Sequence, residues 1–172
     1  MITIISATKR VGNLSSVFAR KCAEILEERG EEINLFELDD LSDQISLDSL
    51  YDFDNSSFTA IAKEYIVPAD KFLFIVPEYN GSIPGILKLF IDAIEPKNYH
   101  GKKAALVGVS AGRAGNLRGM DHLADILNYL QVAVMPQKLP ISKIYDLVSN
   151  ETVVDNETLN ELNKQMEMLI KF

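Results

Sequence analysis

The chain has 172 residues, 47% of them hydrophobic and 24% charged, with 9 Gly, 6 Pro, no Trp, and 17 Lys and Arg against 25 Asp and Glu for a formal net charge of −8. These proportions describe one ordinary globular domain, long enough to bury roughly 70% of the surface its unfolded form exposes, and they exclude disordered, collagen-like and membrane-embedded chains. One thiol, Cys22, excludes an internal disulfide, a Cys-based zinc site and a Cys-ligated iron–sulfur cluster, and the negative balance offers no field for nucleic acid or an anionic membrane surface.

Ile2 to Ala7 is a short β-branched run, followed by a polar segment and then by Leu14, Phe18, Cys22, Ile25 and Leu26 at helical spacing. This predicts strand, loop and helix. The few apolar residues before Lys9 and Arg10 fall far short of a signal sequence or a span of about 20 residues, so a soluble, cytoplasmic protein is expected. Gly30 is placed to stop the helix, and Glu32 to Leu38 alternates as a second strand. Glu37 to Phe58 then carries Glu37, Asp39, Asp40, Asp43, Asp48, Asp52 and Asp54 with no base, a long connection of the kind that borders sites or covers them. Phe58, Ile61, Ala62, Tyr65 and Ile66 share one helix face before Pro68. Lys71 to Val76 is nearly continuous apolar, as in a strand covered on both sides.

After the loop Pro77 to Ser82, residues Ile83, Ile86, Leu87, Phe90, Ile91 and Ile94 keep helical spacing, with Pro84 in the first turn where a missing N–H costs nothing. Ala104 to Val109 reads as a fourth strand. Ser110 to Asn116 leads into a helix marked by Leu117, Met120, Ala124, Leu127 and Leu130, and Gln131 to Met135 is the expected fifth strand. A long connection, Pro136 to Val154, precedes a last helix marked by Leu159, Leu162, Met166 and Leu169.

Strands alternating with helices imply right-handed crossovers and a parallel sheet covered on both faces. The expectation is a single α/β domain over residues 1–172, a flavodoxin-like three-layer sandwich with a five-stranded parallel sheet of order 2-1-3-4-5. Ligands of such sheets sit beyond the carboxyl ends of the strands, beside the switch point between strands 1 and 3. That selects the loops at 8–15, 77–82 and 110–116.

The first loop offers hydroxyls at Thr8 and Ser15, an amide at Asn13, a guanidinium at Arg10 and a flexible Gly12 just before a helix start, whose free N–H groups and dipole favour an anion such as a phosphate monoester. The plainer alternative is that Asn13 or Ser15 only caps the helix. There is no G-x-G-x-x-G after the first strand and no G-x-x-x-x-G-K-[ST] anywhere. In the second loop, Tyr79 can lie against a flat ring and N–H groups around Asn80 and Gly81 can meet ring acceptors; alone, the same residues read better as a tight Asn-Gly turn with a half-buried Tyr. The third loop, Ser110 to Gly115, is small enough for close approach of a ligand to backbone. Arg113 or Arg118 could meet a second phosphate, against the ordinary role of such residues as solvated cations.

Other residues carry less. His100 and His122 lack an i+4 partner or a nearby Cys for a metal, Cys22 falls on a buried helix face, and Asp48, Asp52 and Asp54 lack the Gly and Glu of a calcium loop. No G-x-S-x-G elbow is present.

Taken together the loops resemble one family, the NADPH-dependent FMN reductases, flavodoxin-like proteins that include quinone, azo-dye and chromate reductases. Their first loop reads G-S-x-R-x-G-S-x-N or G-T-N-R-P-G-S-N-T, and here Ala7 to Ser15 agrees at Arg10, Gly12 and the hydroxyl of Thr8. Ala7 replaces Gly or Ser, and Leu14–Ser15 stands where many relatives have a polar pair. The family's P-E-Y-N, small residue, S-x-P-G-x-L-K and following Asp are reproduced from Pro77 to Lys88 and at Asp92. The resemblance covers roughly residues 2–135. It implies that Thr8, Arg10, Asn13, Leu14 through its backbone, and Ser15 hold the FMN phosphate, that Pro77, Glu78, Tyr79, Asn80 and Gly81 flank the isoalloxazine, and that Ser110 borders its far side. It further implies NADPH or NADH as co-substrate, a small-molecule electron acceptor, a homodimer or homotetramer with the helix after Ser82 at its interface, and no catalytic acid or base from the protein. A flavodoxin-type electron carrier and a non-catalytic flavin-binding regulatory protein are the alternatives. A phosphorylatable receiver is excluded, since Ser6-Ala7 and Pro77-Glu78 stand where it needs acids.

Overall fold

The computed structural model describes residues 1–41 and 57–172, so Asp43, Asp48, Asp52 and Asp54 of the acidic segment lie outside the described residues. Four parallel strands carry the sheet: β1 (Ile2–Ser6), β2 (Ile33–Glu37), β3 (Lys71–Pro77) and β4 (Lys103–Val109), with β1 between β2 and β3 and β4 beyond β3. Side chains alternate between the two faces. On β3, Leu73 and Ile75 join Ile2, Ile4, Ala105 and Val107 beneath α1 (Ser15–Glu27) and α5 (Asn156–Lys171). Phe72, Phe74 and Val76 join Ile5, Ala104 and Leu106 beneath α2 (Ser57–Ile61), α3 (Gly85–Asp92) and α4 (Leu117–Tyr129). The parallel order 2-1-3-4-5 expected from the alternation is therefore the order observed.

The fifth position differs in detail. In place of one strand over Gln131–Met135, two short segments share the β4 edge: β5 (Ala133–Val134) pairs with Lys103 and Ala104, and β6 (Leu139–Ile141) with Val107, Gly108 and Val109. Gln131 belongs to the preceding turn, at φ +59°, and Pro136 lies in the break between the two segments, where it has no N–H to give a ladder. The connection expected over Pro136–Val154 thus contains β6, a helical turn at Ile144–Asp146, and a hairpin of β7 (Val148–Ser149) and β8 (Thr152–Val153). Helix α1 ends as Gly30 foretold. Gly30 has φ +80°, its N–H donates to the Glu27 carbonyl, and the Glu31 N–H reaches back to Leu26, closing the helix end with a left-handed residue. The helix after Phe58 widens over Ala62–Ile66, with the Val67 N–H donating to the Ala62 carbonyl at 2.8 Å. Among the described residues no helix is long and apolar enough to cross a membrane, and no cluster of His, Cys, Asp or Glu is placed to hold a metal.

Cys22 is fully buried on α1, and burial pushes its thiol up to about 12. Tyr99, also fully buried, is pushed up by burial and then by the Asp92 charge. A group held protonated by the fold stabilises fully below its unfolded value and loses that contribution as pH rises through its folded one. Stability is therefore expected to fall above the ordinary thiol range, Cys22 contributing up to about 1.4 kcal/mol per pH unit until its own value is passed. Urea unfolding of wild type and Cys22→Ala between neutral and strongly alkaline pH checks this: the variant should show the shallower decline.

Candidate active site

The carboxyl ends of β1, β3 and β4 deliver three loops to one edge of the sheet. The first continues the ladder for one residue, the Ala7 N–H donating to the Ile75 carbonyl at 3.0 Å, and then turns. Gly12, at φ +68°, allows the Asn13 N–H to return to the Arg10 carbonyl at 3.1 Å. Asn13 shapes the loop with its side chain: the amide donates to the Arg10 carbonyl at 2.9 Å, while its oxygen accepts from the Ser16 N–H at 3.0 Å and the Ser16 hydroxyl at 3.1 Å. The capping role thus belongs to Asn13. The N–H groups of Gly12, Leu14 and Ser15 donate to no acceptor among the described residues, and the exposed Arg10 guanidinium has no partner there either. Lys9 differs, because its ammonium donates to the carbonyls of Asp39 and Leu41 and so ties the loop to the turn after β2.

The second loop is a two-residue hairpin turn. Tyr79 and Ser82 exchange N–H to carbonyl bonds of 3.0 Å each, with Asn80 at φ +51° and Gly81 at φ +76° between them, the pairing that Asn-Gly favours. The Glu78 N–H is already used by the Val109 carbonyl at 2.9 Å, so Asn80 and Gly81 keep the unpaired N–H groups of this loop among the described residues. Tyr79 turns its phenol back toward the first loop, where its oxygen lies 2.8 Å from the hydroxyl of Thr8, a side chain in a residue 2% exposed. The Arg10 N–H also donates to the Thr8 hydroxyl, at 3.3 Å. Two hydroxyls bonded to each other consume one O–H; whichever donates, the other O–H remains for an outside acceptor.

The third loop is folded on itself. The Ser110 hydroxyl donates to the Gly112 carbonyl at 3.2 Å and accepts from the Gly115 N–H at 3.0 Å, so this buried side chain holds the loop's shape. Asn116, at φ +60°, donates from its amide to the Val76 carbonyl at 2.9 Å and joins the start of α4 to the end of β3. Helix α4 also supports the second loop: Arg118 lies over Gly81, and the His122 Nδ1 is 2.8 Å from the Ser82 hydroxyl.

A cavity of about 120 Å³ forms where the first two loops meet. Thr8, Arg10, Asn13, Leu14, Ser15, Pro77 and Tyr79 line it, whereas Glu78, Asn80, Gly81 and Ser110 stand outside its walls. Ile144 and Tyr145 close it from the connection that follows β6. Among the described residues no carboxylate lines it, its donors include a guanidinium, helix-start N–H groups and the Thr8–Tyr79 pair, and its size suits a phosphate and the first atoms attached to it. Sequence reasoning missed Ile144, Tyr145, and the supporting contacts of Arg118 and His122. No local motif marks them; three are placed by packing between elements distant in the chain.

The sequence pattern of the NADPH-dependent FMN reductases matches residues 1–146, and the chain belongs to that family. It is 36% identical over 91 residues to a 2-hydroxy-1,4-benzoquinone reductase from Burkholderia, covering 51% of this chain and 50% of that one. It is 47% identical over 73 residues to an NAD(P)H-dependent FMN reductase from Pseudomonas aeruginosa, covering 41% and 40%. These matches span half or less of the relatives' length. A flavoenzyme NAD(P)H:(acceptor) oxidoreductase from Paracoccus denitrificans superposes with a TM-score of 0.82 over 99% of this chain and 94% of that one, at 24% identity, and shares the fold.

Gly108 tests how the third loop is seated. A Cβ there would lie 2.2 Å from the Gly115 carbonyl oxygen, a backbone atom with no rotamer to yield. Gly108→Ala should cost about 1–3 kcal/mol by overpacking, measured by chemical denaturation of the apo protein.

Proposed function

We propose that this chain is an FMN-dependent NAD(P)H oxidoreductase that takes hydride from a nicotinamide and passes electrons to a small acceptor such as a free flavin, a quinone, an azo compound or a metal oxyanion. The observation that carries this reading is the cavity at the start of α1, lined by the loops that hold the family's two motifs and by no carboxylate among the described residues. Family membership supports FMN as the bound cofactor and NADPH or NADH as co-substrate. When bound, FMN supplies the hydride and electron chemistry. The chain's own residues bind and orient it. Arg10, the N–H groups of Leu14 and Ser15, and the O–H left over from the Thr8–Tyr79 pair would hold the phosphate, with Asn13 fixing the loop that presents them. Pro77, Glu78 and Tyr79 would flank the ring, the N–H groups of Asn80 and Gly81 would face its polar edge, and Ser110 would border it through the loop it shapes. Donors aimed at a carbonyl edge stabilise negative charge that develops there on reduction. No side chain is assigned as a proton donor or acceptor.

A homodimer or homotetramer is part of the same reading. Between α3 and α4 runs a mostly apolar groove of about 500 Å³ lined by Ile91, Ile94, Pro96, Ile126, Leu130 and a Tyr129 that is 87% exposed, together with the ion-paired Lys88 and Asp92. An apolar face of that kind suits a second copy of the chain. Tyr129→Glu should shift the sedimentation profile toward smaller species, and an unchanged profile would remove this face from the interface. A cytoplasmic setting agrees with the single buried, unpaired thiol.

The direct test is an anaerobic visible spectrum of the FMN-loaded, desalted protein before and after one equivalent of NADPH. A retained flavin band that bleaches within seconds is expected. A bound flavin that stays oxidised with both NADPH and NADH would turn the reading to an electron carrier or a regulatory flavin-binding protein. Arg10→Ala should weaken FMN binding by about 1.5–3 kcal/mol, the scale of a hydrogen bond to a charged group, as read by titration of the apo protein.

A further inference from the structure

The cavity at the phosphate end has two sides of different origin. The α1 side carries the donors already described, all from the first two loops. The other comes from the turn Ile144–Asp146, which belongs to neither family motif and contributes Ile144 and Tyr145 to the lining. Only Tyr145 of that pair has a side-chain polar atom.

The turn holds Tyr145 in place without burying it. Lys143, at φ +54°, donates its N–H to the Gly112 carbonyl at 2.9 Å, and the Ile144 N–H donates to the Ser110 carbonyl at 3.2 Å. The Asp146 N–H returns to the Lys143 carbonyl at 2.9 Å. Ile144 is 8% exposed and packs into the core beneath α1, whereas Tyr145 beside it is 66% exposed. Its phenol has no hydrogen-bond partner among the described residues. The backbone is therefore fixed from both sides while a large amphipathic ring stands at the mouth of an anion-ready cavity. A tyrosine supplies contact area and an O–H donor at the cost of ordering two torsions, so a fixed backbone makes such a contact favourable.

We propose that Tyr145 is a cofactor-binding residue, its phenol donating a hydrogen bond to the phosphate of bound FMN in the cavity that Arg10 also lines. The proposal rests on the FMN reading given above. A phosphate accepts on several oxygens at once, and the Tyr145 phenol, which has no partner among the described residues, lines the same cavity as Arg10 and the helix-start N–H groups. The contact also makes the third loop part of phosphate binding, because Gly112 and Ser110 hold the turn that carries Tyr145.

The test is a titration of apo wild type, Tyr145→Phe and Tyr145→Ala with FMN, followed by quenching of flavin fluorescence, together with the thermal midpoint of each apo protein. Tyr145→Phe keeps the ring and removes only the O–H. It should weaken FMN binding about tenfold, the scale of one hydrogen bond to a charged group, with an unchanged apo midpoint. Tyr145→Ala should weaken it at least as much. An FMN affinity for Tyr145→Phe within twofold of wild type overturns the proposal whatever Tyr145→Ala does, since the ring then acts without its hydroxyl. Wild type that fails to bind FMN at all overturns instead the reading on which the proposal rests.

Discussion

The parallel register of β1, β3 and β4 is the constraint on which the site depends. Ser6 stands beside Ile75, and Pro77 beside Val109, so three strands end within a residue or two of one another and release their loops at one edge. Parallel strands require crossovers, and those crossovers put helices on both faces, leaving the carboxyl edge as the place where loops converge. The apolar runs of β3 and β4 enforce that register, because slipping by one residue would move Phe72, Phe74 and Val76 from one core to the other.

Close backbone packing then turns convergence into a shaped cavity. Glycines at 108 and 115 let the third loop lie against β4 and β6; a Cβ at Gly115 would meet Pro140 at 2.5 Å. The hydroxyl of Ser110 gives that loop its internal bonds and the amide of Asn116 ties its end to β3, the Asn-Gly turn gives the second loop its own, and Asn13 gives the first. Each loop makes bonds that fix its own shape, and among the donors left over are the Arg10 guanidinium and the helix-start N–H groups of Gly12, Leu14 and Ser15 where the first two loops meet. The Thr8–Tyr79 bond joins those loops directly, and one O–H beyond it remains for a ligand.

The order of elements was legible because each core segment keeps one period. Ile83 to Ile94 holds a helical repeat, and Lys71 to Val76 is apolar throughout, as burial of both faces requires. The edge opposite β2 was less legible. Gln131 to Met135 is apolar enough for a strand, but a positive φ at Gln131 and Pro136 after Met135 confine pairing to Ala133–Val134, and the ladder resumes at Leu139. The motif residues of the first two loops were readable because a helix start with a cation and hydroxyls has its own chemistry. Asn13 was named as a ligand donor or a cap, and its side chain does the capping; Tyr79 was read as a platform for a ring, and its hydroxyl is joined to Thr8. Tyr145 carried no signal, since only the seating of a distant turn on Ser110 and Gly112 brings it to the cavity.

On the proposed reading the molecule contributes a set of hydrogen-bond donors for one anion, with no acid among the described residues that line the site, held beside a positive helix end. That set should favour the dianion of a bound phosphate monoester over the monoanion, lowering its second ionisation from the ordinary value of about 6. Phosphorus NMR of FMN bound to the protein, followed as pH is lowered through that value, tests this most directly. The account predicts a bound resonance that stays at the dianion position while free FMN titrates. A bound resonance that moves together with that of free FMN would contradict it, placing the phosphate in solvent and the cofactor elsewhere.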